Sequence, residues 1–536
     1  MKKSKKSKRI NQSVTETSVA SWWKAKDRLP CGIWVAVLLL AVTLRLVSLG
    51  EKPAHFDEGV NGLFLEKMKS SVVYNYDHTN YHGPLHFYLS FPFVATLGNN
   101  EVAIRLPAIA FSMGTVALLL GFSGTIGRLP SLLASVFFAS SPGSVFFSRY
   151  GIHEAELAFF VTLFALSLSK LYKTGNTWWM AVLVLSVSGG ILTKETFFIN
   201  MATLPLAALS ILALYALAPL SRPSDLDPPG PQRWSWLAAV AILAFAFVVI
   251  ELFYSSWGTK SNFGWSDFLK SYTSWSETGT KGAGHIKATY DIFGGVFNYY
   301  WLALMGRYEW PFLIALVAVF IYWKNGGFIG QVFALWSVGT IVAYSLIPYK
   351  TPWCILSMLP AMSLTLGVFM SSPALSLRPL KAGIFISLLI AVSPLPYTLY
   401  LNLRAYDDRR EPYVYVQTSR EAWRFISELN SASKNDPRFL DMAGLIALDS
   451  YYPLPWWLAG YSRVEYAGEN VGFISPEKYW AVISWRKLSE FLDKNGDRSW
   501  RHYRFKLRDA QEDVVALFDK TVFPDGASPV FPLPRE

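Results

Sequence analysis

The chain has 536 residues, of which 52% are hydrophobic, 16% aromatic and 16% charged, a balance that excludes an ordinary water-soluble protein and places most of the chain in lipid. The net charge of +11 gives no argument for nucleic acid, because residues 1–30 hold nine Lys and Arg against Glu16 and Asp27 and carry most of the excess as a tail. The two cysteines, Cys31 and Cys354, fall in or beside apolar runs, which argues against a disulfide framework and a cysteine metal site.

In chain order the basic tail comes first, and the positive-inside rule keeps it on the cytoplasmic side, where anionic lipid attracts it. Residues 31–49 are apolar for longer than a secretory h-region and no small-residue cleavage site follows, so they form a retained membrane span. Just beyond lies His55-Phe56-Asp57-Glu58. Two adjacent carboxylates at a membrane surface serve as caps of a helix beginning near Gly59 or as acid-base groups, and the two uses are compatible. Four histidines between 55 and 86, with Asp57 and Asp77 among them, have the chemistry to hold a divalent cation such as zinc or manganese. Their spacing matches no tight ligand motif, and interfacial hydrogen bonding explains the same composition, so no metal ligand is assigned and the cofactor stays unknown. The run 84–98 is apolar but only about 15 residues long and contains Pro92, so a helix in the interfacial plane fits it better than a crossing.

Further spans are expected at 103–124, 130–148, 156–172, 177–193, 196–219, 235–255, 309–323, 329–347, 352–371 and 382–401. With the tail inside and 84–98 not crossing, the inner loops carry Arg128, Lys170 with Lys173, Arg222 with Arg233, Lys324, and Arg378 with Lys381. Every inner loop is then basic. The first outer loop, 50–102, and the large outer loop, 256–308, lie on the other side with all seven histidines and the charges at Asp57, Glu58, Arg149, His153, Glu154, Glu156, Lys194, Glu195 and Lys350. The charged residues thus avoid span centres, which speaks against an ion pathway through the bundle.

The segment 256–298 holds Gly279, Lys281, Gly282, Gly284 and His285 without the ending of a phosphate-binding P-loop, and it reads as a flexible lid closing around His285. From residue 402 charges return, which marks a soluble domain over 402–536 after the membrane domain 31–401. In it we expect helices at 421–429 and 486–492 and strands at 444–448, 481–484 and 503–507, a small α/β fold. Residues 452–461 return aromatics toward the membrane, and the Pro-rich end 523–536 is irregular.

A carboxylate at the outer surface can take a proton from an acceptor hydroxyl, while Arg149, Lys194 or Lys350 can neutralise a departing phosphate; those are the parts of a glycosyl transfer. Asp57 and Glu58 are the candidate catalytic pair, and His55, His82, Arg149, Lys194, Glu195, His285 and Lys350 the candidate substrate-binding set. The order of first span, Asp-Glu pair, Tyr81-His82-Gly83-Pro84-Leu85 and Arg105-Leu106-Pro107 resembles the GT-C superfamily of membrane-embedded glycosyltransferases. Its protein O-mannosyltransferase and lipid A aminoarabinose transferase branches share this order. Tyr76-Asp77, Tyr308-Glu309, Tyr349-Lys350-Thr351-Pro352-Trp353 and Tyr452-Pro453-Leu454-Pro455-Trp456-Trp457-Leu458 are most similar to the bacterial and archaeal flippase-activity-associated group.

The resemblance implies an all-α polytopic domain of about eleven transmembrane helices plus interfacial helices, with a C-terminal α/β extracytoplasmic domain. It also implies an inverting transfer from a polyprenyl-phosphate sugar, with Asp57 as base and Glu58 in support. Where the aminoarabinose branch has a Lys before a Pro-Pro pair, this chain has His82-Gly83-Pro84, and a neutral histidine neutralises phosphate poorly, so the phosphate role falls to Lys350, Arg149 or Lys194, with His82 left as the fourth candidate. The expected partners are the polyprenyl-phosphate-linked donor, membrane lipids and an acceptor that is protein, lipid or glycan, with no nucleic acid. The competing readings are a lipid-linked sugar flippase or transporter subunit, and a non-catalytic envelope-assembly partner. The expected location is the cell membrane, with the N-terminus cytoplasmic.

Overall fold

The computed structural model describes residues 31–218, 222–226, 236–260, 263–282, 284–372, 379–471, 478–496, 498–508, 513–526 and 528–530. The basic tail, Arg233, Arg378 and the last six residues of the Pro-rich end lie outside the described residues.

Each of the eleven segments expected to cross the membrane contains an apolar helix or helix pair: α1 (Cys31–Leu46), then, after α2 (Phe56–Met68) and α3 (Leu85–Leu97), α4 (Glu101–Gly121), α5 (Arg128–Ser140) with α6 (Pro142–Ser148), α7 (Glu154–Thr174), α8 (Trp178–Thr193), α9 (Phe197–Leu217) and α10 (Trp236–Tyr254). After α11 (Gly264–Lys281) and α12 (Tyr300–Tyr308) follow α13 (Trp310–Tyr322), α14 (Gly327–Leu346), α15 (Ile355–Ser371), and α16 (Leu380–Val392) with α17 (Leu395–Leu403). By length and apolarity alone six described helices can cross a membrane, or seven if the α5–α6 pair, bent by 56°, is one span. One of the six, 310–346, runs through 37 residues, roughly twice the length a bilayer needs. Gly327, at φ 61°, breaks it, and both resulting helices pack on α15. That helix is apolar all round and buried along its whole length, with α5, α7, α13 and α14 around it. At 13 residues, α3 falls short of the roughly 20 that a straight crossing needs, as α13 does by itself.

Local chemistry sets the bends. Glu309, fully buried just before α13, accepts the Gly143 amide at 2.8 Å and the Tyr413 hydroxyl at 3.2 Å, which holds α6 at its angle to α5. Residues 264–281 correct the expectation of a flexible lid. They form an 18-residue amphipathic helix whose buried face carries Asp267, Phe268 and Ser271. Glu251 accepts the amides of Gly264 and Trp265 at 2.8 and 2.9 Å and caps its start. A two-stranded antiparallel ladder, β1 (Asp291–Ile292) with β2 (Phe297–Asn298), follows.

Beyond α17 the helix α18 (Ala422–Asn435) packs on a mixed five-stranded sheet of order β4-β3-β5-β7-β6, formed by β3 (Ala443–Ala447), β4 (Val464–Tyr466), β5 (Lys478–Ser484), β6 (Trp500–Phe505) and β7 (Val514–Asp519). β4, β3 and β5 run parallel, and β5, β7 and β6 antiparallel. Alternate residues of β7 serve two cores: Ala516 and Phe518 pack with Phe425 of α18, and Val515 and Leu517 with Phe491 of α19 (Leu488–Lys494) on the other face. The strands β4 and β7 and the helical extension to Asn435 go beyond the sequence expectation.

The sheet domain seats on the bundle through the aromatic segment. Pro453 fits against Gly59, where a Cβ would meet it at 2.5 Å, and the Trp456 indole against Gly62 at 2.4 Å. Trp457 donates its indole N–H to Glu101 at 2.8 Å.

Candidate active site

A cavity of about 200 Å³ opens where several helix ends converge. Its wall is built from the first turn of α2, the turn 79–82, the start of α7, the α8–α9 junction, α11 and the 344–354 stretch. Aromatic rings of Phe56, Tyr81, Trp275, Tyr349 and Trp353 alternate with the polar groups of Asp57, Asn80, His82, Glu154, Lys194 and Glu195.

The first turn of α2 separates the two acids. His55 caps the helix: its Nδ1 accepts the Asp57 amide at 3.1 Å, and Glu58 accepts the His55 amide at 2.8 Å, a reciprocal capping box. The His55 Nε2 lies 2.9 Å from the Tyr415 carbonyl. A carbonyl only accepts, so the proton is on Nε2 and Nδ1 is free to cap. Burial lowers the pKa of this imidazole, which agrees with a neutral ring. His55 is therefore a brace beneath the cavity and does not line it.

Glu58 is fully buried, and both oxygens are saturated: Arg105 donates at 2.7 and 2.8 Å, Gly151 at 2.8 Å and His55 at 2.8 Å. Burial alone would raise its pKa, but the charge and hydrogen bonds of Arg105 hold the carboxyl below the usual carboxylate range. Arg105 also donates to the carbonyls of Leu49, Lys52 and Pro53 at 2.7, 2.9 and 3.1 Å. The Arg-Leu-Pro motif thus clamps the start of the segment that follows the first apolar helix. Asp57 has the opposite setting. Its side chain is 38% exposed, its nearest ionisable neighbour is the neutral His55 ring at 3.8 Å, and among the described residues no group donates a hydrogen bond to its carboxylate.

Of the three basic candidates, one faces the cavity. Lys194 lines it and pairs with Glu154. Burial opposes its charge, yet Glu154 and Glu195 keep its pKa well above the ordinary lysine value. Next to it Glu195 pairs with His82 at 3.0 Å, and both line the cavity. Burial penalises the Glu195 carboxylate, and His82 and Lys194 more than offset this, so its pKa is lowered.

Arg149 and Lys350 are placed elsewhere. Arg149 donates to the carbonyls of Leu44, Val47 and Ser48 at 3.0, 2.7 and 3.1 Å. Lys350 donates to those of Tyr344 and Ser345 at 3.0 and 3.1 Å and to that of Ile347. Each caps the carboxyl end of a span, where orphan carbonyls and the helix dipole attract a cation. Burial brings the Lys350 pKa down to about 8. His285 also stays off the cavity wall; its Nδ1 sits 2.7 Å from the Tyr415 hydroxyl and its carbonyl accepts the Lys350 amide at 3.1 Å.

Three groups were not anticipated as a site. Trp275 and Thr278 of α11 roof the cavity; their one-turn spacing, continuing from Phe268 and Ser271, was the available signal. His153, which the sequence places on the outer side beside Glu154 and Glu156 but outside the candidate site set, lies between His82 and His86, with ring centroids at 4.9 and 4.3 Å. Burial and these two rings push its pKa well down. Arg508 reaches over from the sheet domain with its guanidinium 4.8 Å from the Phe56 ring, and donates to Ser450 and Tyr452. Among the described residues no group of three or more His, Cys, Asp or Glu is arranged to hold a metal ion.

A family model described as dolichyl-phosphate-mannose-protein mannosyltransferase matches residues 81–252. The chain is similar in structure to ArnT from Cupriavidus metallidurans in the apo state, at 14% identity and a TM-score of 0.57, over 91% of this chain and 98% of that one. The same protein bound to undecaprenyl phosphate gives 13% and 0.53 over the same shares. The oligosaccharyltransferase of Archaeoglobus fulgidus, solved with Zn and sulfate, gives 10% and 0.53 over 88% of this chain and 72% of that one. No curated protein matches the sequence. At these identities the likeness establishes the fold, and the chain has the GT-C fold that its motifs resemble.

Proposed function

We propose that this GT-C chain is an integral membrane glycosyltransferase that moves a sugar from a polyprenyl-phosphate donor to an acceptor hydroxyl on the outer face of the membrane, with inversion. The observation that carries this reading is the unpaired Asp57 carboxylate in a cavity whose sole Lys or Arg, among the described residues, is Lys194. An acid that is ready to accept a proton and a cation that is permanently charged are the two groups the transfer needs. Asp57 takes the hydroxyl proton as the acceptor oxygen attacks the anomeric carbon. The bond to phosphate breaks on the opposite face, and Lys194, with His82 beside it, neutralises the leaving phosphate.

The lipid tail has a place to lie. Leu85, Phe111, Phe160, Leu185, Leu192 and Phe253 help line an almost wholly apolar groove of about 520 Å³. It begins at Leu192, two residues from Lys194. The His82-Gly83-Pro84 motif sits on the same helix end, since Gly83 donates to the Thr193 carbonyl at 3.1 Å and a Cβ there would come within 2.1 Å of the Leu192 oxygen. Phosphate at Lys194 and tail in the groove follow the order of a polyprenyl phosphate at a membrane surface.

Asp57→Asn in purified, reconstituted protein tests the reading. Sugar transfer from a polyprenyl-phosphate donor should fall by about 10²–10⁴-fold, the usual share of a general base, while the protein elutes and unfolds as wild type. Full transfer by the folded variant would remove Asp57 as base. Donor crossing the bilayer in the absence of any transfer by the wild type would favour the flippase.

A further inference from the structure

The hairpin of β1 and β2 presents a surface unlike that of a turn in water. Phe293 at its tip is 83% exposed and Val296 69%, with Ile292 exposed beside them. Gly294 and Gly295, at φ 68° and 86°, make the turn between them. Turns in water draw on Asn, Asp and Ser as well as Gly, yet from Ile292 to Gly306 no residue is charged. A contiguous exposed apolar tip of this kind marks a contact surface, and the transfer reaction does not use it.

The base of the hairpin is tied down. Asn298 is buried and donates to the Lys287 carbonyl at 2.9 Å and the Asp291 carboxylate at 2.7 Å, while its own carbonyl accepts the Tyr300 amide at 2.9 Å. The Tyr290 ring meets those of Tyr299 and Tyr300 at 5.1 and 5.2 Å. Trp301, fully buried, donates its indole N–H to the Tyr344 carbonyl at 3.0 Å, and β2 packs on α14.

Those contacts fix the depth of the hairpin. Val338, Val342 and Leu346 lie one turn apart on α14 and are all exposed, the apolar stripe that a spanning helix turns to lipid. The stripe runs to Leu346, the last residue of the helix, and Tyr344 is two residues before it. Trp301 and the hairpin base are therefore level with the end of a lipid-facing helix. A two-residue ladder leaves backbone groups that hydrocarbon cannot satisfy, so the backbone belongs at headgroup depth, where Tyr and Trp concentrate, and only the tip side chains reach the acyl chains.

A second copy of the chain is the rival occupant. A whole aromatic side chain offers about 150–250 Å², so Ile292, Phe293 and Val296 fall short of the roughly 800 Å² per partner that a stable interface buries. Lipid sets no such minimum.

We propose that the 291–298 hairpin is a membrane-seated wedge whose Phe293 and Val296 side chains insert into the leaflet on the Asp57 side. Through Asn298 it ties that leaflet to the 285–290 strap, where the Lys287 ammonium lies 4.0 Å from the Tyr415 ring and His285 contacts both Tyr415 and Lys350.

Full-length protein with Cys31 and Cys354 replaced by serine, carrying Phe293→Cys labelled with a polarity-sensitive nitrobenzoxadiazole dye in phosphatidylcholine nanodiscs, tests this. Relative to the same dye at Lys434→Cys, on the exposed end of α18, emission should be blue-shifted and quenched by a phosphatidylcholine with an acyl-chain nitroxide. Quenching by iodide should be several-fold weaker than at Lys434→Cys. Val296→Cys should repeat the pattern. Iodide quenching equal to that at Lys434→Cys, without quenching by the nitroxide lipid, puts the tip in water and overturns the proposal. Protection from both quenchers means that a second copy covers the tip, and overturns it equally. Neither readout involves sugar transfer, so the wedge stands or falls separately from the enzymatic reading.

Discussion

Asp57 and Glu58 are chemically the same group one residue apart, and their surroundings give them opposite uses. Glu58 spends both oxygens on Arg105, Gly151 and the His55 amide inside the fold. Removing the charge leaves Arg105 buried without its partner, so Glu58→Gln should cost about 3–5 kcal/mol, read as a lower unfolding midpoint. The same pair fixes a pH dependence. Because the folded pKa of Glu58 lies below its ordinary value of 4.5, its contribution is fully present above that value and is lost as pH falls through the folded pKa. The midpoint should therefore decline on acidification below pH 4.5, and Glu58→Gln should flatten that decline. Lys194→Gln should act on the chemistry instead, with transfer reduced by about 10²–10³-fold if it stabilises the leaving phosphate. Lys350→Gln, which loses only a helix cap, should leave the rate near wild type while lowering the midpoint. Sequence placed all these charges near one surface, but it had no means to tell a cap from a ligand, since that depends on which carbonyls lie within 3 Å of each ammonium.

At the level of elements, the site depends on the sheet domain pressing on α2. The Trp456 indole occupies the space that a side chain at position 62 would need. Gly62→Val should lift the aromatic segment, withdraw Arg508 from the Phe56 ring and open the 404–421 connection. Limited proteolysis should then cut that connection faster than in wild type, with transfer falling in step; an unchanged cleavage rate would show that the contact is incidental. The apolar helices were legible because a run of about 20 apolar residues has one solution in lipid. The roof helix α11 was not, because Gly279 and its Ser and Thr residues read as loop while the helix is held by a cap from Glu251 and by packing against the 78–80 turn and α10. β7 was missed for a related reason: a continuous apolar run of five residues, Val514 to Phe518, buried on both faces, has no alternation to betray a strand. The aromatic segment 452–458 was recognisable as a motif, but its seat on Gly59 and Gly62 lies some 390 residues away in sequence, beyond any local pattern.

For the whole molecule, two cavities at opposite ends of α7 and α15 turn charge alternation into a geometric statement. Lys173 and Lys324 belong to one end, and Asp57, Lys194 and the sheet domain to the other. The basic loops favour placing the first end in the cytoplasm. The proposed transfer on the outer face needs the second end to face outward, which is the orientation the loop charges favour. Single cysteines decide it in a background with Cys31 and Cys354 replaced by serine. A membrane-impermeant maleimide should label Lys434→Cys in intact cells and Lys324→Cys only after the membrane is opened. The reverse pattern would put the Asp57 cavity in the cytoplasm and remove the outer-face transfer. Labelling of both positions in intact cells would mean that the chain between them crosses an even number of times, which would break the alternation on which the surface placement of α3 rests.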